Sequence, residues 1–178
     1  MNLLVNVKEP VLIVVVFLVV LAIYSDFRWR KIPNCLTLPA IVLGFFLNFK
    51  GNSWNGLFFS LGGLMVGMGL LMLPYLLGGM GGGDVKFMGA LGAFLGSYSI
   101  LNVFLYATLV GGAIALGVAI ANKSLIETLK KVWLLLKCIF LFRSPMSGAG
   151  LFKKSIEIPY GIAIGVGTVI FILAGHIV

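Results

Sequence analysis

Apolar segments recur along the whole of this 178-residue chain, separated by shorter stretches that carry charge, glycine or proline. A helix needs about 20 mostly apolar residues to cross a hydrocarbon core of about 30 Å. No polar stretch is long enough to separate two domains, so the pattern predicts one membrane-embedded domain over residues 1–178. The predicted helices cover residues 8–25, 36–50, 55–77, 83–98, 100–121 and 158–177.

Composition supports this interpretation. The chain is 61% hydrophobic and 10% charged, whereas a soluble domain carries about 25% charged residues. The mean hydropathy is +1.15. The expected fold is therefore an all-α polytopic membrane protein with about six transmembrane helices.

The basic residues predict which side of the membrane each loop occupies. If the N-terminus is outside, the inner loops are 26–35, 78–86 and 122–157. Only Lys8 and Lys50 lie outside these loops, which leaves 11 of the 13 basic residues inside. This asymmetry predicts an N-out, C-out protein whose inner loops face the cytoplasm. The net charge of +8 then reflects orientation and contact with anionic lipids, and we expect no nucleic-acid partner.

The long third inner loop, about 122–157, contains an amphipathic pattern. Residues 124–143 read SLIETLKKVWLLLKCIFLFR, and most of their charges share one side of a helix. We predict a helix lying in the cytoplasmic interface. The competing interpretation is a seventh span, which is weaker because Lys137 interrupts a short apolar run.

Cysteine and histidine are scarce. Cys35 and Cys138 have no CxxC spacing, and His176 is the one histidine. A zinc site, a disulfide framework and a Ser-His or Cys-His catalytic system are therefore improbable. We expect neither a metal nor another cofactor.

The chain has two aspartates, and each lies at the edge of an apolar segment. Asp26 occurs in YSDFRWRKIPN and Asp84 in GGMGGGDVKFMG. An acid at a membrane boundary is costly to place and is usually functional. Two neighbouring carboxylates share a proton, so one can act as base while the other donates. Such a pair can activate water for peptide hydrolysis, and the charge pattern puts both residues at the cytoplasmic face.

The residues around Asp84 suggest how a peptide could reach it. Glycine tolerates positive φ and allows close approach, so GGMGGG could admit water or an extended peptide. The alternative is a flexible loop ending in an aspartate that caps the helix. Lys86 could pair with an aspartate, contact lipid phosphate or bind an acidic substrate residue, and a lipid anchor is the simplest single role.

Glycines at four-residue spacing predict close helix packing. These pairs are Gly63 with Gly67, Gly92 with Gly96, and Gly161 with Gly165.

Three motifs in order, DFRWRKIPN, GGGDVKFMGALGAFLG and IPYGIAIGVG, resemble the type IV prepilin peptidases. These are aspartic membrane proteases of the GxGD type, and here the GxGD motif is Gly81-Gly82-Gly83-Asp84. The first catalytic aspartate of that family matches Asp26. The late proline–glycine element matches Pro159-Tyr160-Gly161. The short Tad/Cpa-type form, which processes Flp prepilins, is the most similar.

The resemblance implies an endopeptidase that acts on prepilins and pseudopilins. It would remove a basic leader at the cytoplasmic face, after a glycine and before an apolar helix. Longer members carry a cysteine-containing segment and methylate the new amino terminus. Since 25 residues precede Asp26 and paired cysteines are absent, we do not expect methylation. The oligomeric state stays open.

Two other classes of protein fit the same composition. A small proton-coupled transporter also carries intramembrane acids, but near the midplane and in a broken helix. A non-catalytic membrane subunit of a pilus or secretion assembly would explain the glycine-rich packing without any chemistry.

Overall fold

A computed structural model describes residues 9–76, 78–121 and 160–177. In these ranges the regular structure consists of four helices: α1 (Glu9–Trp29), α2 (Asn34–Leu76), α3 (Gly82–Ala121) and α4 (Tyr160–Ile177). The all-α prediction is confirmed for this part of the chain. The amphipathic helix predicted within 122–157 lies outside the described residues, as does Pro159.

Two of the helices are too long for one crossing. At 1.5 Å per residue, the 43 residues of α2 would measure about 65 Å, against a hydrocarbon core of about 30 Å. The helical backbone of α2 is interrupted at Asn52 (φ −138°, ψ 19°) and Ser53 (φ 51°, ψ −133°). That interruption falls in the gap predicted between residues 50 and 55.

The 40-residue helix α3 is interrupted at Gly96 (φ 80°, ψ 172°). The predicted break between residues 98 and 100 was therefore placed too late. A φ of this sign is readily adopted only by glycine, which explains why the chain turns at Gly96.

Within the described residues, three helices have the length and apolar composition to cross a membrane: Val11–Trp29, Asn34–Leu76 and Gly82–Val118. Tyr160–Gly175 is a shorter apolar helix. The chain is therefore a helical membrane protein, while six crossings and their orientation stay predictions.

The end of α1 differs from the prediction. The helix was expected to stop at residue 25, just before Asp26, but it continues to Trp29. The main-chain N–H of Arg30 donates to the carbonyl of Asp26 at 2.8 Å, and Arg30 has a φ of 50°. No proline or glycine follows Asp26 until Pro33. A proline disfavours the helical conformation in the residue that precedes it. Asp26 consequently lies in the last turn of α1 rather than in a loop.

Glycine holds α2 and α3 together, and this is the most extensive helix contact among the described residues. A methyl group on Gly63 would overlap the carbonyl group of Gly92, and one on Gly92 would overlap that of Gly63. Gly67 faces the carbonyl of Met88 in the same way. Lipid tails are as apolar as side chains, so helices in a membrane gain stability mainly by such close backbone approach. The predicted packing role of Gly63 and Gly67 is confirmed.

A polar contact reinforces this interface. Asn48 donates its side-chain N–H groups to the Ser60 hydroxyl and to the carbonyl of Ala93, both at 2.9 Å. Ser60 is fully buried, and buried polar groups in proteins almost always find such partners. The two halves of α2 are thereby tied to each other and to α3.

The remaining helices extend the bundle. Helix α4 packs on α3, and α1 packs chiefly on α4, with few contacts to α2 or α3. The C-terminal end of α1 and the N-terminal ends of α3 and α4 therefore meet at one end of the bundle.

The α2–α3 contact predicts opposite effects of one substitution at two adjacent positions. Gly63→Ala inserts a methyl group into the backbone of α3, and overpacking typically costs about 1–3 kcal/mol. Gly62→Ala meets nothing within 4 Å, and alanine is favoured over glycine in a helix by about 0.5–1 kcal/mol. We expect thermal unfolding in detergent to show a melting temperature lowered in Gly63→Ala and unchanged or raised in Gly62→Ala. Equal melting temperatures would contradict this packing.

Candidate functional site

Asp26 is held by the start of α4. Its side chain is only 4% exposed, and its Oδ2 accepts the main-chain N–H of Ile162 at 3.1 Å. The main-chain N–H of Gly161 also interacts with this carboxyl group. N–H groups in the first turn of a helix have no partner within the helix, and they carry its positive dipole end. The first turn of α4 therefore forms a ready-made acceptor site for the Asp26 carboxylate.

Gly161 allows this contact because it has no side chain. A Cβ there would lie 2.8 Å from Asp26 Oδ2 and 3.0 Å from Asp26 Cβ and Cγ. One turn later, a Cβ on Gly165 would lie 2.6 Å from the side chain of Ile23 and 3.3 Å from that of Val19. The predicted packing role of this glycine pair is confirmed: it brings α4 against α1.

Asp84 lies in the first turn of α3, as predicted. Its Oδ2 accepts the main-chain N–H of Gly81 at 3.3 Å, and its own N–H donates to the Gly81 carbonyl at 3.2 Å. A carboxylate in the first turn that reaches back to the residue before the helix is one half of a capping box. The capping role considered for Asp84 is therefore present, and it uses the Oδ2 atom.

The three glycines before Asp84 have different surroundings. A Cβ on Gly83 would lie 2.6 Å from the Ile32 carbonyl oxygen, so this position requires glycine. Cβ atoms on Gly81 and Gly82 would make ordinary contacts, with Asp84 Oδ2 and the Tyr75 ring respectively, both at 3.4 Å. The positive φ expected in this segment occurs at Gly78 (φ 76°), so Gly83 serves close approach rather than turning.

The structure brings the two aspartates together at one end of the bundle. They lie near enough for their charges to interact. Tyr160, the first residue of α4, is half-buried and lies within electrostatic reach of Asp84. Asp26, Asp84, Tyr160 and Gly161 thus form one cluster, made from residues on α1, α3 and α4. The break in α3 at Gly96 is about 18 Å along the helix from Asp84 at 1.5 Å per residue, so Asp84 does not lie at the helix break, where the intramembrane acids of a transporter are expected.

Lys86 has a partner that the sequence did not indicate. Its Nζ donates to Oδ1 of Asn34 at 2.9 Å. Asn34 is the first residue of α2. Because the two residues are 52 positions apart, no local pattern could pair them.

Ser25 is a second residue that sequence reasoning missed. It is 4% exposed, and its hydroxyl donates to the Lys31 carbonyl at 2.8 Å. The only signal in the sequence was its position next to Asp26. In the described ranges, no group of three or more His, Cys, Asp or Glu side chains could hold a metal ion.

These observations define the class of protein as a helical membrane protein with an aspartate pair at one end of its bundle. The model of the type IV leader peptidase family matches residues 12–116, more than half of the chain. The chain therefore belongs to the type IV leader peptidase family, and it is a prepilin peptidase, a hydrolase. The match includes Asp26 and Asp84 and ends before α4.

Searches of curated proteins and of solved structures gave no match.

The close contact between Asp26 and Gly161 predicts that Gly161→Ala lowers the rate of leader cleavage. The added methyl group displaces the carboxylate, and a shift of about 1 Å in a catalytic group can cost on the order of 100-fold in rate. We expect the cleavage rate of a purified prepilin to fall at least about tenfold. Gly175→Ala, in the same helix and with nothing within 4 Å, is the control and should cleave normally. Normal cleavage by Gly161→Ala would show that the contact of Asp26 with the first turn of α4 is not needed for activity.

Proposed function

We propose that Asp26 and Asp84 are the catalytic pair with which this prepilin peptidase hydrolyses the leader peptide. The observation that carries the proposal is that these two residues, from α1 and α3, lie within electrostatic reach of each other at one end of the bundle. Tyr160 and Gly161 lie in the same cluster as the two aspartates. We therefore assign Pro159, Tyr160 and Gly161 a role in supporting the pair or in binding the substrate. Gly81, Gly82 and Gly83 form the approach to Asp84.

The reaction needs only these two carboxyl groups and water. One carboxylate takes a proton from a water molecule, whose oxygen bonds to the carbonyl carbon of the scissile peptide. The other carboxyl group donates its proton to the carbonyl oxygen. The tetrahedral intermediate then collapses, the C–N bond breaks, and the leaving amine takes up a proton. The products are the leader with a free carboxyl group and the pilin with a new amino terminus.

Main-chain hydrogen bonds hold both carboxyl groups in place. Asp26 Oδ2 is occupied by the N–H of Ile162, and Asp84 Oδ2 by the N–H of Gly81. In each carboxyl group a main-chain N–H thus holds one oxygen in place. Fixing one oxygen of each group orients the other before substrate binds, which lowers the reorganisation needed in the transition state.

We further propose that the pair faces the cytoplasm of a multi-pass inner-membrane protein. The excess of basic residues in 26–35, 78–86 and 122–157 supports this orientation. With the breaks at Asn52–Ser53 and Gly96 as turning points, the chain would cross the membrane six times. The long inner loop would then contact anionic lipids.

The substrate class is proposed from the motifs in the sequence. The IPYGIAIGVG segment and the absence of paired cysteines resemble the short Tad/Cpa-type form. We propose that the substrates are Flp-type prepilins and pseudopilins, cut after a glycine. Their apolar helix would remain in the membrane beside the site while the basic leader lies in the cytoplasm.

The catalytic roles predict that Asp26→Asn and Asp84→Asn each abolish cleavage. Asparagine keeps the size of the side chain and an oxygen for the N–H groups of Ile162 or Gly81, so both variants should fold and insert. It cannot exchange the proton, and general acid–base catalysis contributes about 100- to 10,000-fold. We expect cleavage of a purified prepilin to fall by at least about 100-fold.

The control is Arg28→Gln, which changes one charge at an exposed position close to Asp26. It should cleave normally and should elute from size-exclusion chromatography like the two aspartate variants. If both asparagine variants still processed the prepilin, the proposed pair would be wrong. Proton or solute flux in liposomes that both substitutions abolish would instead favour a transporter.

The proposed substrate class predicts the mass of the product. Co-expression with an Flp-type prepilin should give a pilin that begins immediately after the leader glycine. Its mass should equal that of the unmethylated chain, because the paired cysteines of the methylating members are absent. Mass spectrometry of the intact pilin measures both features. A cut elsewhere would contradict the proposed position, and an added methyl group would contradict the expected absence of methylation.

A further inference from the structure

We propose that Lys86 and Asn34 are positioning residues whose hydrogen bond sets the place of Asp84 relative to Asp26. The inference rests on the proposed catalytic pair. It assigns Lys86 to positioning Asp84, whereas the sequence suggests a lipid anchor, a pair with an aspartate or a contact with an acidic substrate residue.

The first observation is the bond itself. The Lys86 ammonium group donates to Asn34 Oδ1 at 2.9 Å, although Asn34 is exposed and Lys86 half-buried. A hydrogen bond with a charged donor is stronger than one between neutral groups. Lys86 and Asp84 are two positions apart in α3, and residues at that spacing do not share a helix face. Lys86 therefore acts on the start of α3 from the side opposite Asp84.

The second observation is that Asn34 is available for this contact. The carbonyl of Pro33 accepts the N–H groups of Leu36 at 3.0 Å and Thr37 at 3.4 Å. Pro33 is therefore the N-cap residue of α2, and Asn34 is the first helical residue. A side chain at that position is not needed as a cap.

The third observation concerns the connector between α1 and α2, residues 30–33. On one side, Ser25 donates to its Lys31 carbonyl. On the other side, Gly83 packs against the carbonyl of Ile32, which is 5% exposed. Ser25 directly precedes Asp26, and Gly83 directly precedes Asp84. The connector therefore contacts the residue before each aspartate. The hydrogen bond from Lys86 to Asn34 joins α3 to the first residue of α2, directly after the connector.

The bond matters because α1 has few direct contacts with α3. Asp26 is fixed by α1 and by the first turn of α4, whereas Asp84 is presented by α3, which packs on both α2 and α4. The connector links the end of α1 to the start of α2, beside the first turn of α3. Releasing the start of α3 from the connector would let the two carboxyl groups move apart without unfolding the bundle.

The experiment measures kcat and KM for cleavage of a purified prepilin by the full-length protein in lipid nanodiscs. Lys86→Met and Asn34→Ala should each lower kcat about tenfold and leave KM within about twofold, since a small displacement of a catalytic group affects the chemical step. The double variant should lose no more than the single variants, because both remove the same bond. Lys86→Arg and Asn34→Asp, which keep a donor and an acceptor, should retain most of the activity.

Two matched controls accompany these variants. Lys50→Met removes another exposed lysine, and Cys35→Ala changes the exposed residue next to Asn34. Both should leave kcat and KM unchanged.

A second readout does not depend on activity. Cysteines replacing Asp26 and Asp84, in a protein in which Cys35 and Cys138 are alanine, can be joined by a short bis-maleimide. We expect efficient crosslinking with Asn34 and Lys86 intact, and crosslinking slowed about fivefold or more after Lys86→Met or Asn34→Ala. This result would stand even if the asparagine variants of Asp26 and Asp84 showed that the pair is not catalytic.

Four outcomes would overturn the inference. A raised KM with unchanged kcat in Lys86→Met would assign Lys86 to substrate binding. A loss that appears only with anionic lipid would assign it to the membrane surface. Additive losses in the double variant would separate the two residues, and an unchanged crosslinking rate would show that they do not position the aspartates.

Discussion

The contact between the first turn of α4 and Asp26 is the interaction on which the site depends. A carboxylate that is only 4% exposed is costly unless it is hydrogen-bonded. Asp26 finds its donor in Ile162, a residue 136 positions away, and Gly161 leaves the space that this contact needs. The same bond satisfies a helix end that would otherwise be unpaired. One interaction thus stabilises the acid, caps α4 and joins the two ends of the described chain.

The second requirement is a rigid frame for Asp84. In a membrane, lipid tails are as apolar as leucine, so helix association depends on close packing and polar contacts. Gly63 and Gly92 let the backbones of α2 and α3 touch, and Asn48 ties the interface with two hydrogen bonds. The result is a helix pair that presents Asp84 from the first turn of α3.

The sequence predicts much of this arrangement where the signal is local. Apolar runs predict the helices, Gly51-Asn52-Ser53 marks the interruption of α2, and the glycines before Asp84 mark the start of α3. The spacing of Gly63 and Gly67 predicts their packing. In each case the residues that produce the feature are neighbours in the chain.

Other features of the site could not be predicted because their partners are distant or are main-chain groups. The donor to Asp26 is the N–H of Ile162, and an isoleucine gives no sign of such a role. The sequence suggests that Lys86 contacts lipid, an aspartate or an acidic substrate residue, but nothing in it pairs Lys86 with Asn34. Helix α1 extends past Asp26 because no helix breaker occurs before Pro33. The absence of a breaker is a weaker signal than the charged residues after Asp26, which predicted a loop.

The two aspartates consequently lie on different helices, at the end of the bundle where α1, α3 and α4 meet. Asp26 is held by α1 and the first turn of α4, and Asp84 by α3, which packs on both α2 and α4. A shared proton requires the two carboxyl groups to be close, whereas a peptide and a water molecule need room between them. Catalytic groups in other enzymes reach their final geometry when substrate binds. The connector, Gly83 and the first turn of α4 contact the acids or the residues next to them. An adjustment confined to these residues would leave the glycine packing of α2 on α3 in place.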